Sequence, residues 1–142
     1  MARCVESFTA GWALARDGRD LLLKERENTP LYSCVNGDPA LVTAQAVIES
    51  AQAGDGRCKA IVSRAFTFLA VGISNVIHLL APELVVLGGG VTKAGDLMVQ
   101  PVMGALSAHL IPALVGTPIS LSTCGDDVTL LGAAALAEQE LK

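Results

Sequence analysis

The 142 residues hold ten Lys and Arg against fourteen Asp and Glu, a net charge of -4, and 51% are apolar while only 4% are aromatic. One domain's worth of chain without a basic excess excludes nucleic acid binding through this segment, since Arg16, Arg19, Lys24 and Arg26 alternate with Asp17, Asp20, Glu25 and Glu27. A mean hydropathy of +0.51 built on Ala, Val, Leu and Ile predicts closely packed helices on a sheet, with apolar surface left for further sequence or a partner subunit to cover, hence a homo-oligomer.

A first helix is predicted from Ser7 or Thr9, either of which suits an N-cap, to about Leu23. A polar stretch follows from Glu25 to Asp38. A second helix is then predicted with Asp38 as N-cap, Pro39 at its first position and Gly54 just past its end, burying Leu41, Ala44, Val47, Ile48 and Ala51. Asp55 is placed to cap a long third helix in which Ile61, Val62, Ala65, Leu69, Ile73, Val76, Ile77 and Leu80 recur at three- and four-residue steps until Pro82 stops it. Because Thr67, Ser74, Asn75 and His78 interrupt its apolar run, and because residues 1–6 have no apolar signal core, the sequence predicts a soluble, cytoplasmic chain with no membrane contact.

Leu84 to Leu87 reads as a strand buried on both faces, followed by Gly88, Gly89 and Gly90 and then by a helix from Asp96 or Val99 to His109. A second strand, Ile119 to Leu121, leads to Asp126 or Asp127 as cap of a last helix through Leu130, Leu131, Ala134, Leu136 and Ala137, with Gly132 as a packing glycine. Two strands, each followed by a helix, predict a small parallel sheet. That is too little to stand alone, so the chain reads as part of a larger α/β architecture.

The triple glycine is the most informative feature, because a backbone without Cβ atoms at a strand end lets a ligand approach closely. It reads either as such a site or as a tight strand-to-helix turn. Counting from Gly88 and Gly90, the sixth position of a dinucleotide fingerprint is Lys93, not glycine, and Thr92-Lys93-Ala94 is not the Gly-Lys-Ser/Thr of a phosphate loop. Cys4, Cys34, Cys58 and Cys124 form no Cys-x-x-Cys pair and His78 and His109 are not spaced as ligands, so no complete metal site is written; Cys58 and Cys124 read as buried, reduced thiols.

Cys4-Val5-Glu6 ahead of a helix start, Ala51-Gln52-Ala53-Gly54-Asp55, the strand and glycines from Leu84 to Gly90, and the closing run Gly125 to Ala134 are four words whose order resembles the ROK family of sugar kinases and sugar-responsive repressors. The resemblance implies the C-terminal lobe of an actin-like (ribonuclease H-like) ATPase fold, helical over residues 1–82 and with an adenosine-binding strand, glycine loop, helix, strand and helix over 83–142. By the same resemblance Gly88, Gly89 and Gly90 carry the adenosine of ATP, used with Mg²⁺. Glu6 hydrogen-bonds sugar hydroxyls, and Cys4 is one of four zinc ligands. Asp55 reads as a helix cap in preference to a nucleotide contact. The family's phosphate loop, its general-base aspartate and its other zinc ligands have no counterpart in this chain, so no catalytic residue is assigned and the isolated chain is expected to be inactive. The implied activity is that of an ATP-dependent hexose or N-acetylhexosamine kinase. The alternatives are the effector part of a sugar-responsive repressor and an inactive remnant.

Overall fold

The computed structural model describes residues 4–24 and 29–140, so Arg3 and the start of the polar stretch at Glu25 lie outside the described residues. In chain order the elements are α1 (Glu6–Thr9), α2 (Gly11–Lys24), α3 (Pro30–Cys34), α4 (Ala44–Gln52), α5 (Gly56–Leu80), β1 (Val85–Leu87), α6 (Asp96–His109), β2 (Ile119–Leu121) and α7 (Val128–Glu140). Short 3-10 turns lie at Pro39–Leu41, Gly90–Ala94, Pro112–Leu114 and Gly125–Asp127. The two strands pair in parallel, Val85 opposite Ile119 and Leu87 opposite Leu121, with α6 as the crossover.

α5 is the axis of the core, and its punctuation is as the sequence predicts. Gly54, at φ +102, closes α4: its N–H donates to Ala51 O at 3.2 Å and that of Asp55 to Ser50 O at 3.0 Å, the paired bonds of a Schellman stop. Asp55 Oδ1 then accepts from the N–H groups of Arg57 (2.9 Å) and Cys58 (3.2 Å) and starts α5, which ends at Leu80 ahead of Pro82. By length and composition α5 could cross a membrane; here Val62, Phe66, Ala70, Ile73 and Ile77 are buried among Leu14 of α2, Val47 of α4 and Met98 and Val102 of α6, while Val76, Leu79 and Leu80 near its end are exposed.

Several expectations are corrected. The first helix is broken at Ala10, which is extended (ψ 155), giving α1 and α2. Ser7 and Thr9 do not cap; their hydroxyls donate back to Cys4 O (2.7 Å) and Val5 O (3.1 Å). The break turns α1 onto α5, where Phe8 stacks on Phe68 with ring centroids 4.1 Å apart. The second helix is likewise split. Asp38 Oδ1 accepts from Ala40 N at 2.8 Å but starts only the turn Pro39–Leu41; Val42 and Thr43 are extended, and Thr43 caps α4 by accepting from Ala46 N at 3.1 Å. Val42 is the cause, because it is buried against Gly18 of α2, where an added Cβ would lie 2.9 Å from Val42 Cγ1. The polar stretch contains α3, started by Thr29 and Pro30 and anchored by buried Leu31. Finally, β1 is not buried on both faces, since Val86 is 56% exposed, and Cys124 is exposed while Cys58 is buried. Cys124 lies in the turn before α7, a helix whose described side chains are exposed apart from half-buried Val128 and whose Gly132 would place a Cβ in open space, so Gly132 packs against nothing among the described residues.

Candidate glycine-turn cleft

The three glycines follow β1 and open the turn Gly90–Ala94. Gly89 sits at φ 97, ψ 171, a conformation that essentially only glycine adopts, and its carbonyl accepts from both the N–H (3.0 Å) and the hydroxyl (2.7 Å) of Thr92. No side chain caps this turn. A Cβ on Gly89 would meet nothing within 4 Å, and one on Gly88 would make ordinary contacts with Ser122 (3.5 Å) and Val128 (3.7 Å). Packing within the chain therefore does not require a bare backbone at Gly88 or Gly89. Backbone conformation requires it at Gly89, and the space beyond is open to a group from outside.

Of the three glycines only Gly90 lines the neighbouring cleft; Gly88 and Gly89 stand outside its lining. With Val91 and Lys93 of the turn, Gly11 of α2, and Ala44, Gln45, Ile48, Glu49 and Gln52 of α4, Gly90 bounds a space of about 510 Å³, a size suited to a small organic ligand. The α4 positions recur at three, four and seven residues and so share one helical face. Ile48, which is buried, makes an apolar floor with Ala44 and Val91, while Gln45 and Glu49 form the polar rim, Gln45 Nε2 donating to Glu49 Oε1 at 2.7 Å. Sequence reasoning missed the α4 wall. Its signal, a stripe at helical spacing, is the same one that a solvated helix face gives.

Other candidates lie elsewhere. Glu6 is exposed on α1, whose preceding residue Val5 lies over Gly72 of α5 and shares an apolar cavity with Val85 at the start of β1; the glycine turn leaves the opposite end of that strand, and Glu6 does not line the cleft. Cys4 is exposed, and among the described residues no three His, Cys, Asp or Glu side chains come together to hold a metal. A lone thiol cannot supply the four ligands of a structural zinc, so the described residues do not fit that ion. Asp55 is a cap facing the core, as expected, and is buried. Burial, reinforced by the neighbouring Asp55 carboxylate, pushes the Cys58 thiol up to about 12, so it is a packing group and not a nucleophile.

The fold recurs in a ROK family glucokinase from Streptomyces griseus, solved in complex with glucose and AMPPNP, with a TM-score of 0.84 and 24% identity over 96% of this chain and 45% of that one. It recurs also in a ROK family transcriptional regulator homologous to the E. coli MLC protein, at TM-score 0.69 and 18% identity over 83% of this chain and 28% of the other. These neighbours identify the architecture as part of the actin-like ATPase fold, helix-rich with a small parallel sheet. By sequence the chain is 27% identical to the glucokinase of Halalkalibacterium halodurans over 96% of its own length and 41% of the relative's, and 32% identical to the N-acetyl-D-glucosamine kinase of Pasteurella multocida over 82% and 38%. The chain thus spans about two fifths of the curated relatives it matches. Since the ROK family model matches residues 1–140, with the glycine turn and its cleft inside that span, the chain belongs to the ROK family.

Proposed function

We propose that this chain is the C-terminal, nucleotide-holding lobe of an ATP-dependent hexose or N-acetylhexosamine kinase, divided into a helical part over 1–82 and an adenosine-binding part over 83–142. The observation that carries the reading is the cleft at the glycine turn, where an open backbone, an apolar floor and a polar rim meet in a space of nucleoside size. In this reading Gly88, Gly89 and Gly90 admit the adenine, Ile48 and Val91 flank it, and Glu6 reaches a sugar hydroxyl. When bound, ATP with Mg²⁺ supplies the phosphoryl group. The chain's own part is positioning: it holds the adenosine end while the sugar contact stands at the other end of β1. No side chain here is assigned as the base that takes the sugar hydroxyl proton, so the reaction requires groups from beyond this lobe. Cys4 contributes at most one ligand to a zinc site completed elsewhere. The working compartment is the cytoplasm, where ATP is available, and the uncovered apolar surface favours assembly with a further copy or further chain.

The test is a titration of the full chain with ADP, followed by backbone NMR. Saturable shifts at Gly90, Val91 and Ile48 are expected, with millimolar affinity, and Gly89→Val should abolish them in a protein that still melts cooperatively. A folded Gly89→Val chain with undiminished ADP response would make the loop a structural turn. Coupled assays with glucose, N-acetylglucosamine and N-acetylmannosamine should remain at background; turnover that survives repurification would refute the lobe reading. A second reading, the effector part of a sugar-responsive repressor, is favoured by the shared fold of the regulator. It needs no adenosine contact, so specific ADP binding counts against it.

A further inference from the structure

The rim of the cleft carries more information than the floor. Gln45 and Glu49 lie one turn apart on α4, and the Gln45 amide donates to Glu49 Oε1 at 2.7 Å. That bond turns one amide hydrogen inward and leaves the Gln45 carbonyl and the second carboxylate oxygen as acceptors. The Glu49 side of the cleft therefore favours a ligand group that brings hydroxyl donors and disfavours phosphate, whose negative charge is better placed towards Lys93 on the turn side. Between the rim and the glycine turn the surface is apolar, made by Ala44, Ile48 and Val91, with the bare backbone of Gly11 on the α2 side and of Gly90 on the turn.

A nucleoside has one part for each surface. Its base is flat and suits the floor, where the bare backbone of the turn lets it approach. Its ribose has two adjacent hydroxyls, both donors, and is the only part of an adenosine nucleotide that presents paired O–H groups. With the base on the floor the ribose falls at the exposed rim, and the phosphates leave away from Glu49. We infer that Glu49, oriented by Gln45, accepts hydrogen bonds from the ribose hydroxyls and makes this cleft selective for ribonucleotides over their deoxy counterparts. This inference rests on the nucleotide reading of the cleft and adds to it a specificity-determining pair that the glycine loop does not contain.

The experiment compares ADP with 2′,3′-dideoxy-ADP on the full chain by NMR titration, in the wild type, in Glu49→Ala and in Asp20→Asn. Asp20 is exposed on α2, outside the cleft lining, and its substitution makes the same change of net charge. In the wild type the dideoxy nucleotide is expected to bind about tenfold more weakly, the effect of two exposed hydrogen bonds to a carboxylate. In Glu49→Ala the two nucleotides should bind within about twofold of each other, while Asp20→Asn keeps the wild-type ratio. Equal binding of both nucleotides by the wild type, or a tenfold ratio that persists in Glu49→Ala, overturns the inference and leaves the cleft a nucleotide site. Absence of any saturable ADP shift at the cleft residues overturns both. Because Glu49 is on a helix surface, thermal melts of the variant should match the wild type, and a ratio lost along with the melt would count against a ribose role.

Discussion

The helical part of this chain and its strand-bearing end treat apolar residues differently. Around α5, side chains from α2, α4 and α6 are covered on all sides: Leu14, Val47, Phe66, Ile77, Met98 and Val102 are all but inaccessible. On β1, β2 and α7 the same residue types stand in the open, with Val86, Leu121, Leu130, Leu131 and Leu136 all exposed. The first region makes its own core. The second shows what it requires from outside, which agrees with a chain that spans about two fifths of its relatives. The cleft lies where the two meet, one wall from α4 and the other from the glycine turn. A site at that seam has one rigid side and one side whose setting depends on what covers the strands.

The largest effect should come from the closed region. Phe66→Ala removes a fully buried ring from the centre of α5 and is expected to cost about 3–5 kcal/mol in urea unfolding followed by circular dichroism. A loss under about 1 kcal/mol would show that the core is not organised around α5.

Two glycines sharpen the contrast by giving opposite signs. An added Cβ on Gly18 would lie 2.5 Å from Val47 Cγ2 and 2.9 Å from Val42 Cγ1, so Gly18→Ala should destabilise by about 1–3 kcal/mol. On Gly132 of α7 the same methyl meets nothing within 4 Å, and Gly132→Ala should instead stabilise the helix by up to about 1 kcal/mol. Equal effects at the two sites would erase the distinction between the regions.

What the sequence revealed and what it concealed follows the same division. Asp55, Gly54 and Pro82 act through bonds and dihedrals within a few residues, so the ends of α5 were legible, as were the two strands and the glycine turn. The breaks at Ala10 and at Val42 were not, because each serves a distant partner: Phe8 must reach Phe68, and Val42 must fill the space beneath Gly18. Half of the cleft was legible for similar reasons. Glycines at a strand end announce a bare backbone, whereas Gln45, Glu49 and Gln52 look like any solvated helix face until the turn is seen opposite them. The apolar run in α7 reads as a packing helix, whereas in the structure its leucines and Gly132 meet no partner among the described residues.

The thiols offer a smaller, chemical version of the comparison. Cys4, Cys34 and Cys124 are exposed and should react promptly with an aromatic disulfide reagent at pH 8, while buried Cys58 should react only on unfolding. The folded Cys58 holds its proton up to about 12 against an ordinary value of 9.0, whereas the unfolded chain releases it above 9. The folded state therefore binds more protons in this window, so its stability should fall as pH rises from about 9 towards 12, by about 1 kcal/mol at pH 10, and show no such term below 9. Subtracting the profile of Cys58→Ala isolates this term, and it is the slopes that are compared, because the variant also leaves a cavity. Identical slopes would mean that Cys58 is not held in a dry site.

The smallest stability change should come from the most apolar exposed surface. Leu131 and Leu136 of α7 are 53% and 67% exposed, so Leu131→Gln with Leu136→Gln removes little burial and should change the unfolding free energy by no more than about 0.5 kcal/mol. The same pair should matter for association. If α7 meets a second copy in solution, the wild type will sediment as a larger species, and the double variant will shift towards the monomer while its low-concentration stability stays unchanged. A loss above about 1.5 kcal/mol at concentrations where the wild type is monomeric would mean that α7 folds back on its own chain. That result would remove the contrast on which the open region is defined. An unchanged sedimentation profile with unchanged stability would leave α7 uncovered in the isolated chain.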